Sequence, residues 1–485
     1  MYGEWFYIDH VGIVQGPFGS QSMSAWAESG YFSSTLQIKL RLWSAFHCLS
    51  VVFPRPQTVF KELTQEPIVV FASQRQPLQP LQHQQQQPQQ QQKMLNHQQV
   101  QLLPQARQQS ADLNKRITGA QSWEDVLSIL RSATPCAVNC VIGVNVATAF
   151  HRAAKLGSQA RRRPQEADLG HVIALIESKL DEFEPRQIAN TLWAYATLGL
   201  APSASVLGAL STAVERLAGA FKPQEIANTL WAYATLGLAP SASVLEALST
   251  AVERSAGAFK PQNVANALWA YATLGLAPSA SVLEALSTAV ERSAGAFNAQ
   301  NVANALWAYA VLLVEPPSIL VSLVSVLGTA SDVDKHLEQI SYAYLVGHAL
   351  GWSWQLPNEL VQKALSVQRR RAQQPNVSRL QQRVHDALRG MGQLPELEAL
   401  TEDGLFSIDI ALPASGQDDR PKTAVEVDGP SHFTSSGGKT GSTQLRDFLL
   451  EQRGWRVVSL PYFAIEGAST DEKLKEYLAN ALSHE

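Results

Sequence analysis

Apolar and polar positions follow two different periods along this chain, and the changes of period mark its domains. From residue 2 to about residue 60, aromatic and polar residues alternate around tight-turn signals. The stretch "WFYIDHVGIVQGPF" predicts a strand, a turn at Gly12, a second strand and a Gly-Pro turn. "SQSMSAWAESGYF" predicts one short helix, with Met23 and Trp26 three apart on one face and Gly30 as its stop. In the middle of the chain the period becomes helical. Ile226, Leu230 and Ala234 line one face of a helix that Gly237 stops, and Pro240 reinforces the stop. A second helix is predicted to open on a capping box, Ser243…Glu246, with Val244, Leu245, Leu248, Ala251 and Val252 as its apolar stripe. The same box is present at Ser281…Glu284 and broken at Ser205…Gly208, which predicts a weaker helix start there. From Leu405 the pattern returns to strands: "LFSIDIAL", "TAVEVD" and "WRVVSL". The helix "TQLRDFLLEQRG" intervenes, with Leu445, Phe448 and Leu449 on one face and Gly454 as its stop, and "TDEKLKEYLANAL" is a final helix. This is a small α/β unit.

The helical middle is a repeat. "PQEIANTLWAYATLGLAPSASVLEALSTAVERSAGAFK" recurs almost verbatim; Pro185, Pro223 and Pro261 are 38 residues apart, as are Trp193, Trp231, Trp269 and Trp307. A period of this size predicts a solenoid of stacked helix pairs. Degenerate copies at Asn145–Leu156 and Ile340–Leu350 extend it to about six units from roughly Asp112 to Trp354, with atypical ends as caps. Residues 74–109 are nearly all Gln with scattered Pro, Leu and His, too polar to offset chain entropy by burial, so they are expected to be a disordered tether. A self-associating polar tract is the alternative. The expected architecture is therefore multidomain. A small α+β domain at 1–62 is followed by a disordered Gln/Pro linker at 74–111 and an all-α repeat solenoid at 112–356. A basic helical bridge at 357–395 leads to an α/β domain at 396–485.

Composition narrows the function. With 485 residues, 45% hydrophobic and 16% charged, the chain has a globular balance. Its net charge of −4 gives no global attraction to nucleic acid, so any such site must be a local patch. Three cysteines (Cys48, Cys136 and Cys140) make no disulfide framework and point to a reducing compartment; no second Cys/His pair completes a zinc site with Cys136 and Cys140. No run of about 18 apolar residues is present, so no membrane span is expected. The N-terminus, MYGEWFYIDH, is aromatic and acidic and is not an Arg-rich leader; a targeting segment is missing from this chain, or import does not use one.

Three places carry candidate chemistry. Glu426 and Asp428 stand i, i+2 on one strand and so share a face, and Asp409 ends a neighbouring strand. Three converging carboxylates can hold Mg²⁺ or Mn²⁺ to clamp a phosphodiester and activate water, with His432 as an auxiliary base. A capped turn at Asp428 and a solvated Asp409 are the plainer reading. Between the repeats and this unit, Lys363, Arg369, Arg370, Arg371, Arg379, Arg383 and Arg389 face a single Asp386, the one strongly positive stretch. It is either a solvated helix face or a phosphate-contacting RNA site. Within the repeats, Asn190, Asn228, Asn266 and Asn304 recur. A helix Asn bonds a neighbouring backbone group, or reads one base per repeat. The Trp and Tyr of "LWAYA" are expected in the inter-repeat core. Residues 185–298 hold six Lys/Arg and six Glu, net zero.

Resemblances sharpen each part. W-F-Y-I-D…G-x-x-Q-G-P-F…M-x-x-W-x-x-x-G-Y-F resembles a GYF domain over about 45 residues. That family binds Pro-Pro-Gly type peptides, which implies a groove of Tyr7, Phe18, Trp26 and Tyr31, with Trp5 and Met23 beside it, and a proline-rich protein partner. Asp9 resembles the short-loop branch of the family. P-Q-x-x-A-N-x-L-W-A-x-A in a 38-residue unit resembles the octotricopeptide repeat and is similar to the helical region of FAST-kinase-like regulators. These families act on organellar transcripts in RNA stability, processing, splicing or translation, which implies RNA as a partner and a mitochondrial or chloroplast location. D-I-A-L-P…V-E-V-D-G-P-S-H-F…L-L-E-Q-R-G-W-x-V-V-S-L-P-Y-F resembles a RAP domain, which is RNA-associated and restriction-endonuclease-like. The nuclease pattern wants Glu-x-Lys and this chain has Glu-Val-Asp; no lysine stands ready to orient water, and Lys422 lies on the face of Glu426 only in a regular strand. Three functions stay open at this point: an organellar RNA-binding regulator, a metal-dependent endoribonuclease, and a peptide-binding scaffold with no RNA activity.

Overall fold

The computed structural model describes residues 4–8, 14–19, 37–40, 47–48, 107–133, 141–324, 333–374, 376–414 and 422–483. Residues 1–93 and 94–485 form two compact units. In the first, β1 (Glu4–Ile8), β2 (Val14–Gly19), β3 (Gln37–Leu40) and β4 (His47–Cys48) make an antiparallel sheet of order β2-β1-β3-β4. Trp5 pairs with Phe18 and Leu40, and Tyr7 with Gln15 and Ile38. The helix predicted after β2, and with it Met23, Trp26 and Tyr31, lies outside the described residues, as do Cys136 and Cys140.

The second unit opens with a helix over residues 107–119, which takes the last five positions assigned above to the linker; the rest of that tract lies outside the described residues. Helix pairs then repeat. The first helices (Gly143–Gln159, Pro185–Leu198, Pro223–Thr235, Pro261–Leu274, Ala299–Val311 and Val333–Leu350) stack in series. They meet one another more extensively than the second helices do, which places them on the inner side of the curve. Local chemistry sets each start and stop. Proline occupies the first turn at Pro185, Pro223 and Pro261, where its missing N–H costs nothing. The third residue of the helix reaches back to the cap: Glu225 accepts from Lys222 N at 2.8 Å and Asn263 from Lys260 N at 3.2 Å. The chain turns left-handed at Gly199, Gly237 and Gly275; in the fourth copy Leu313 takes the same turn at φ 56°, without glycine's freedom.

The second helices begin two residues before the predicted box. Ser203, Ser241 and Ser279 are the caps, accepting from Val206, Val244 and Val282. Ser243 and Ser281 instead donate to Glu215 and Glu253 of the preceding repeat, at 2.6 and 2.5 Å. The change to Gly208 therefore leaves its helix start intact. Buried tyrosines join the repeats: Tyr233, Tyr271 and Tyr309 bond Ser211, Ser249 and Ser287 of the unit before. Tyr195 has no such serine and its hydroxyl is unpartnered.

The predicted basic bridge is two helices with different homes. Asn358–Ala372 packs on Val333–Leu350 and buries Val361, Ala364 and Leu365 in the core of the repeats. Arg379–Gly390 buries Val384, Ala387 and Leu388 in the C-terminal domain. That domain is a four-stranded sheet, β5 (Glu396–Leu400), β6 (Ser407–Leu412), β7 (Thr423–Asp428) and β8 (Arg456–Pro461), antiparallel except for the β7–β8 pair. Helix Gly441–Glu451 makes the crossover on one face. The helices Arg379–Gly390, Tyr462–Gly467 and Asp471–Ser483 cover the other. Leu445, Leu449 and Leu450 join the solenoid core, as do Leu405 and Phe406 before β6, so the domain is held against the repeats through this helix and through the β5–β6 connection, where Gln368 donates to Leu405 O at 3.2 Å. Its approach is close. A Cβ on Gly441 would sit 1.7 Å from Ala272 O, and Ser435 N donates to Gly237 O at 2.7 Å.

Candidate nucleic-acid interface

Strand β7 is buried at every position. Alternation sends Val425 and Val427 to one core and Glu426 and Asp428 to the opposite face, beneath helix Gly441–Glu451, where the two acids are 3% and 1% exposed. The register Ile410↔Val425 puts Asp409 directly across from Glu426, as the sequence suggests. The convergence is real, and its charge is met from within the chain. Arg446, on the crossover helix, donates through Nε to Glu426 Oε2 at 2.7 Å and through the guanidinium to the Ser407 carbonyl. Burial opposes the arginine's charge, and Glu426 and Asp409 more than offset it, holding its pKa above the ordinary value. Asp409 accepts from Val427 N at 2.8 Å. Burial, and next the charge of Glu426, push its carboxyl up to about 7. Glu426 Oε1 is buried without a partner.

Asp428 is turned away from this pair. Burial disfavours its charge, yet it ends below the usual carboxylate range because His432 Nδ1 at 2.7 Å and the Ser459 hydroxyl bond it and Lys439 lies at 3.8 Å. The bond to Asp428 in turn raises the pKa of His432. Lys439 itself is paired with Asp447 at 2.5 Å. Among the described residues no group of three or more His, Cys, Asp or Glu is placed to hold a metal ion. The expected Mg²⁺ or Mn²⁺ site on Asp409, Glu426 and Asp428 does not fit this arrangement: a guanidinium sits where the cation would, and the third acid serves His432. Lys422 cannot supply the missing lysine, because it is exposed, bonds Glu402 at 2.9 Å and lies over Trp455. Arg446 escaped the sequence reading. The signal was present: it stands four residues before buried Leu450, inside the apolar face of its helix.

The seven basic residues lie on two helices that belong to different cores. Arg383 donates to the carbonyls of Ile465 and Ala468 and is structural. Arg371 pairs with Glu338, Lys363 with Glu359 at 2.8 Å, and Arg369 donates to Asp403 O. Arg370, Arg379 and Arg389 are exposed on the two helices.

The repeats present a more regular surface. Tyr195, Tyr233, Tyr271 and Tyr309 are core, but Trp193, Trp231, Trp269 and Trp307 are half-buried on the inner face of the first helices. Trp193–Trp231 and Trp269–Trp307 lie 6.3 and 6.5 Å apart, and His151 continues the row at 4.7 Å from Trp193. Burial, then Lys155, Arg186 and Arg152, push the His151 pKa down to about 4. One turn earlier stand Asn190, Asn228, Asn266 and Asn304, also half-buried. The expected bond to a neighbouring backbone group is not made: Asn304 accepts from Gln339 at 2.9 Å, and no hydrogen bond ties the other three side chains among the described residues. At the N-terminal end Asn190 opens into a groove of about 250 Å³ with Lys115, Thr148 and Arg186.

Comparison with known proteins finds separate matches along the chain. The RAP domain family matches residues 425–481, and the GYF domain family residues 5–46. The family described as the N-terminal domain of Tbc2 translation factor matches residues 121–255, and a family of unknown function matches 246–268 and 284–306. GRB10-interacting GYF protein 2 of Danio rerio is 56% identical over 36 residues, 7% of this chain and 3% of that protein. SMY2 homolog 2 of Saccharomyces cerevisiae is 57% identical over 35 residues, 7% of this chain and 4% of that protein. The chain thus matches only a few per cent of the length of these relatives. No described helix is long and apolar enough to cross a membrane.

Proposed function

We propose that this chain, which joins a GYF domain to helical repeats and a RAP domain, is an RNA-binding post-transcriptional regulator of organellar transcripts, with the GYF domain recruiting a proline-rich partner. The observation that carries the reading is the ladder on the inner helix layer. One half-buried Trp and one half-buried Asn recur every 38 residues, and the row ends at Lys115 and Arg186. A series of aromatic rings and amide groups, one of each per repeat, suits the unpaired bases of a single strand. The match of residues 121–255 to a translation-factor domain supports an action on transcripts. Arg446 inside the carboxylate site favours binding over metal-dependent cleavage. The organellar setting, and an action on RNA stability, processing, splicing or translation, are expectations of the repeat resemblance.

The test is a titration of the full chain with single-stranded RNA at several salt concentrations. Asn228→Ala combined with Asn266→Ala should weaken binding by about tenfold. Arg186→Ala should reduce the salt slope by about 1. No RNA binding alongside intact capture of a Pro-Pro-Gly peptide would replace this reading with that of a peptide-binding scaffold.

A further inference from the structure

A second feature of the RAP domain points outward. Parallel strands β7 and β8 end side by side, with Asp428 opposite Pro461. The carboxyl edge of parallel strands is where open α/β sheets place ligands. The segments that leave this edge carry three aromatic rings. Phe433 lies 5.6 Å from Phe463 and 6.3 Å from Tyr462, and Tyr462 and Phe463 meet edge-on at 5.4 Å. Phe433 and Tyr462 are half-buried, whereas Phe463 is 52% exposed. Packing among the three rings explains the first two and leaves one side of Phe463 to solvent.

Next to the rings stands His432, adjacent in sequence to Phe433. Its Nδ1 is tied to Asp428, which is buried and held on its other oxygen by Ser459. The imidazole is therefore fixed in orientation, with Nε2 directed away from Asp428; the bond to Asp428 favours the protonated ring, in which Nε2–H is a second donor. The cations nearby are otherwise committed: Lys439 pairs with Asp447 and Arg446 with Glu426. The surface thus offers a ring face and one oriented N–H donor.

We propose that Phe463, supported by Phe433 and Tyr462, is a stacking platform for one unpaired nucleotide of RNA, with His432 Nε2 donating to an oxygen of its phosphate or ribose. This rests on the RNA-binding reading above and adds a site on the RAP domain distinct from the repeat ladder. Stacking suits any base, so the site holds a position along the strand and does not select a sequence.

The experiment uses the full chain and short single-stranded RNAs that carry 2-aminopurine at successive positions, whose fluorescence falls on stacking. One position should be quenched in the wild type. Phe463→Ala should restore its fluorescence and weaken binding about fivefold or more. Phe463→Tyr should keep both quenching and affinity, which separates loss of the ring from loss of the fold. His432→Gln should weaken binding while quenching persists. If the wild type binds RNA and Phe463→Ala binds it equally tightly with the same quenching pattern, the platform is refuted and the repeat reading stands. If the wild type binds no RNA, both are refuted.

Discussion

Asp409→Asn should make the C-terminal domain more stable near neutral pH and leave it unchanged near pH 4. Asp409 faces Glu426 across β6 and β7, and burial and that neighbour raise its pKa to about 7 from an ordinary 3.8. The sign follows from linkage. Between these values the folded state holds a proton that the unfolded state has released, so stability falls as pH rises through the window and stays low above it. A rise from 3.8 to about 7 corresponds to about 4 kcal/mol. The value of about 7 already includes the offset from Arg446, and the asparagine amide is itself a polar group that must be buried, so a gain of roughly 1–3 kcal/mol at pH 8 is expected for the variant. Asparagine keeps an oxygen for the Val427 N–H that Asp409 now accepts. Amide hydrogen exchange of the peptide spanning β7, in the full chain, reads this local stability at each pH. The wild type should lose protection from pH 4 to 8, after correction for intrinsic exchange, and the variant should not. Equal pH dependence in both proteins would mean that the pair is not desolvated as described.

Three further outcomes follow from the same contacts. Arg446→Leu should destabilise the domain by about 3–5 kcal/mol, read by denaturant unfolding, because it leaves Glu426 and Asp409 facing each other without a cation. Gly441→Ala should loosen the docking of helix Gly441–Glu451 on the repeats, since the added Cβ meets the Ala272 carbonyl at 1.7 Å. Increased exchange at residues 435–444, with the β8 core still protected, would show it. Tyr7→Ala should abolish binding of a Pro-Pro-Gly peptide in an NMR titration, and unchanged shifts on adding peptide to the wild type would refute the groove.

The sequence by itself determined everything that local chemistry encodes. The strand "TAVEVD", the Pro-led first helices and their glycine stops are set by alternation, a missing N–H and a left-handed turn, all within a few residues. The 38-residue period likewise dictated the stack, because near-identical units can only bury their faces on one another. The i, i+2 spacing of Glu426 and Asp428 and the strand position of Asp409 were legible for the same reason. What those acids face was not. Arg446 lies on the next helix, and only the packing of that helix onto the sheet brings a guanidinium to Glu426 in place of a metal ion. The caps at Ser203, Ser241 and Ser279 were also decided between repeats, since Ser243 and Ser281 are drawn to glutamates of the unit before. The seven basic residues form one run in the sequence, but the chain turns between two helices whose apolar faces belong to different cores. Tertiary structure divides them and spends Arg383 on backbone carbonyls. The exposure of Trp193, Trp231, Trp269 and Trp307, and of Phe463, is likewise a matter of which neighbours arrive. An aromatic side chain reads the same in sequence whether it is covered or left open to a ligand.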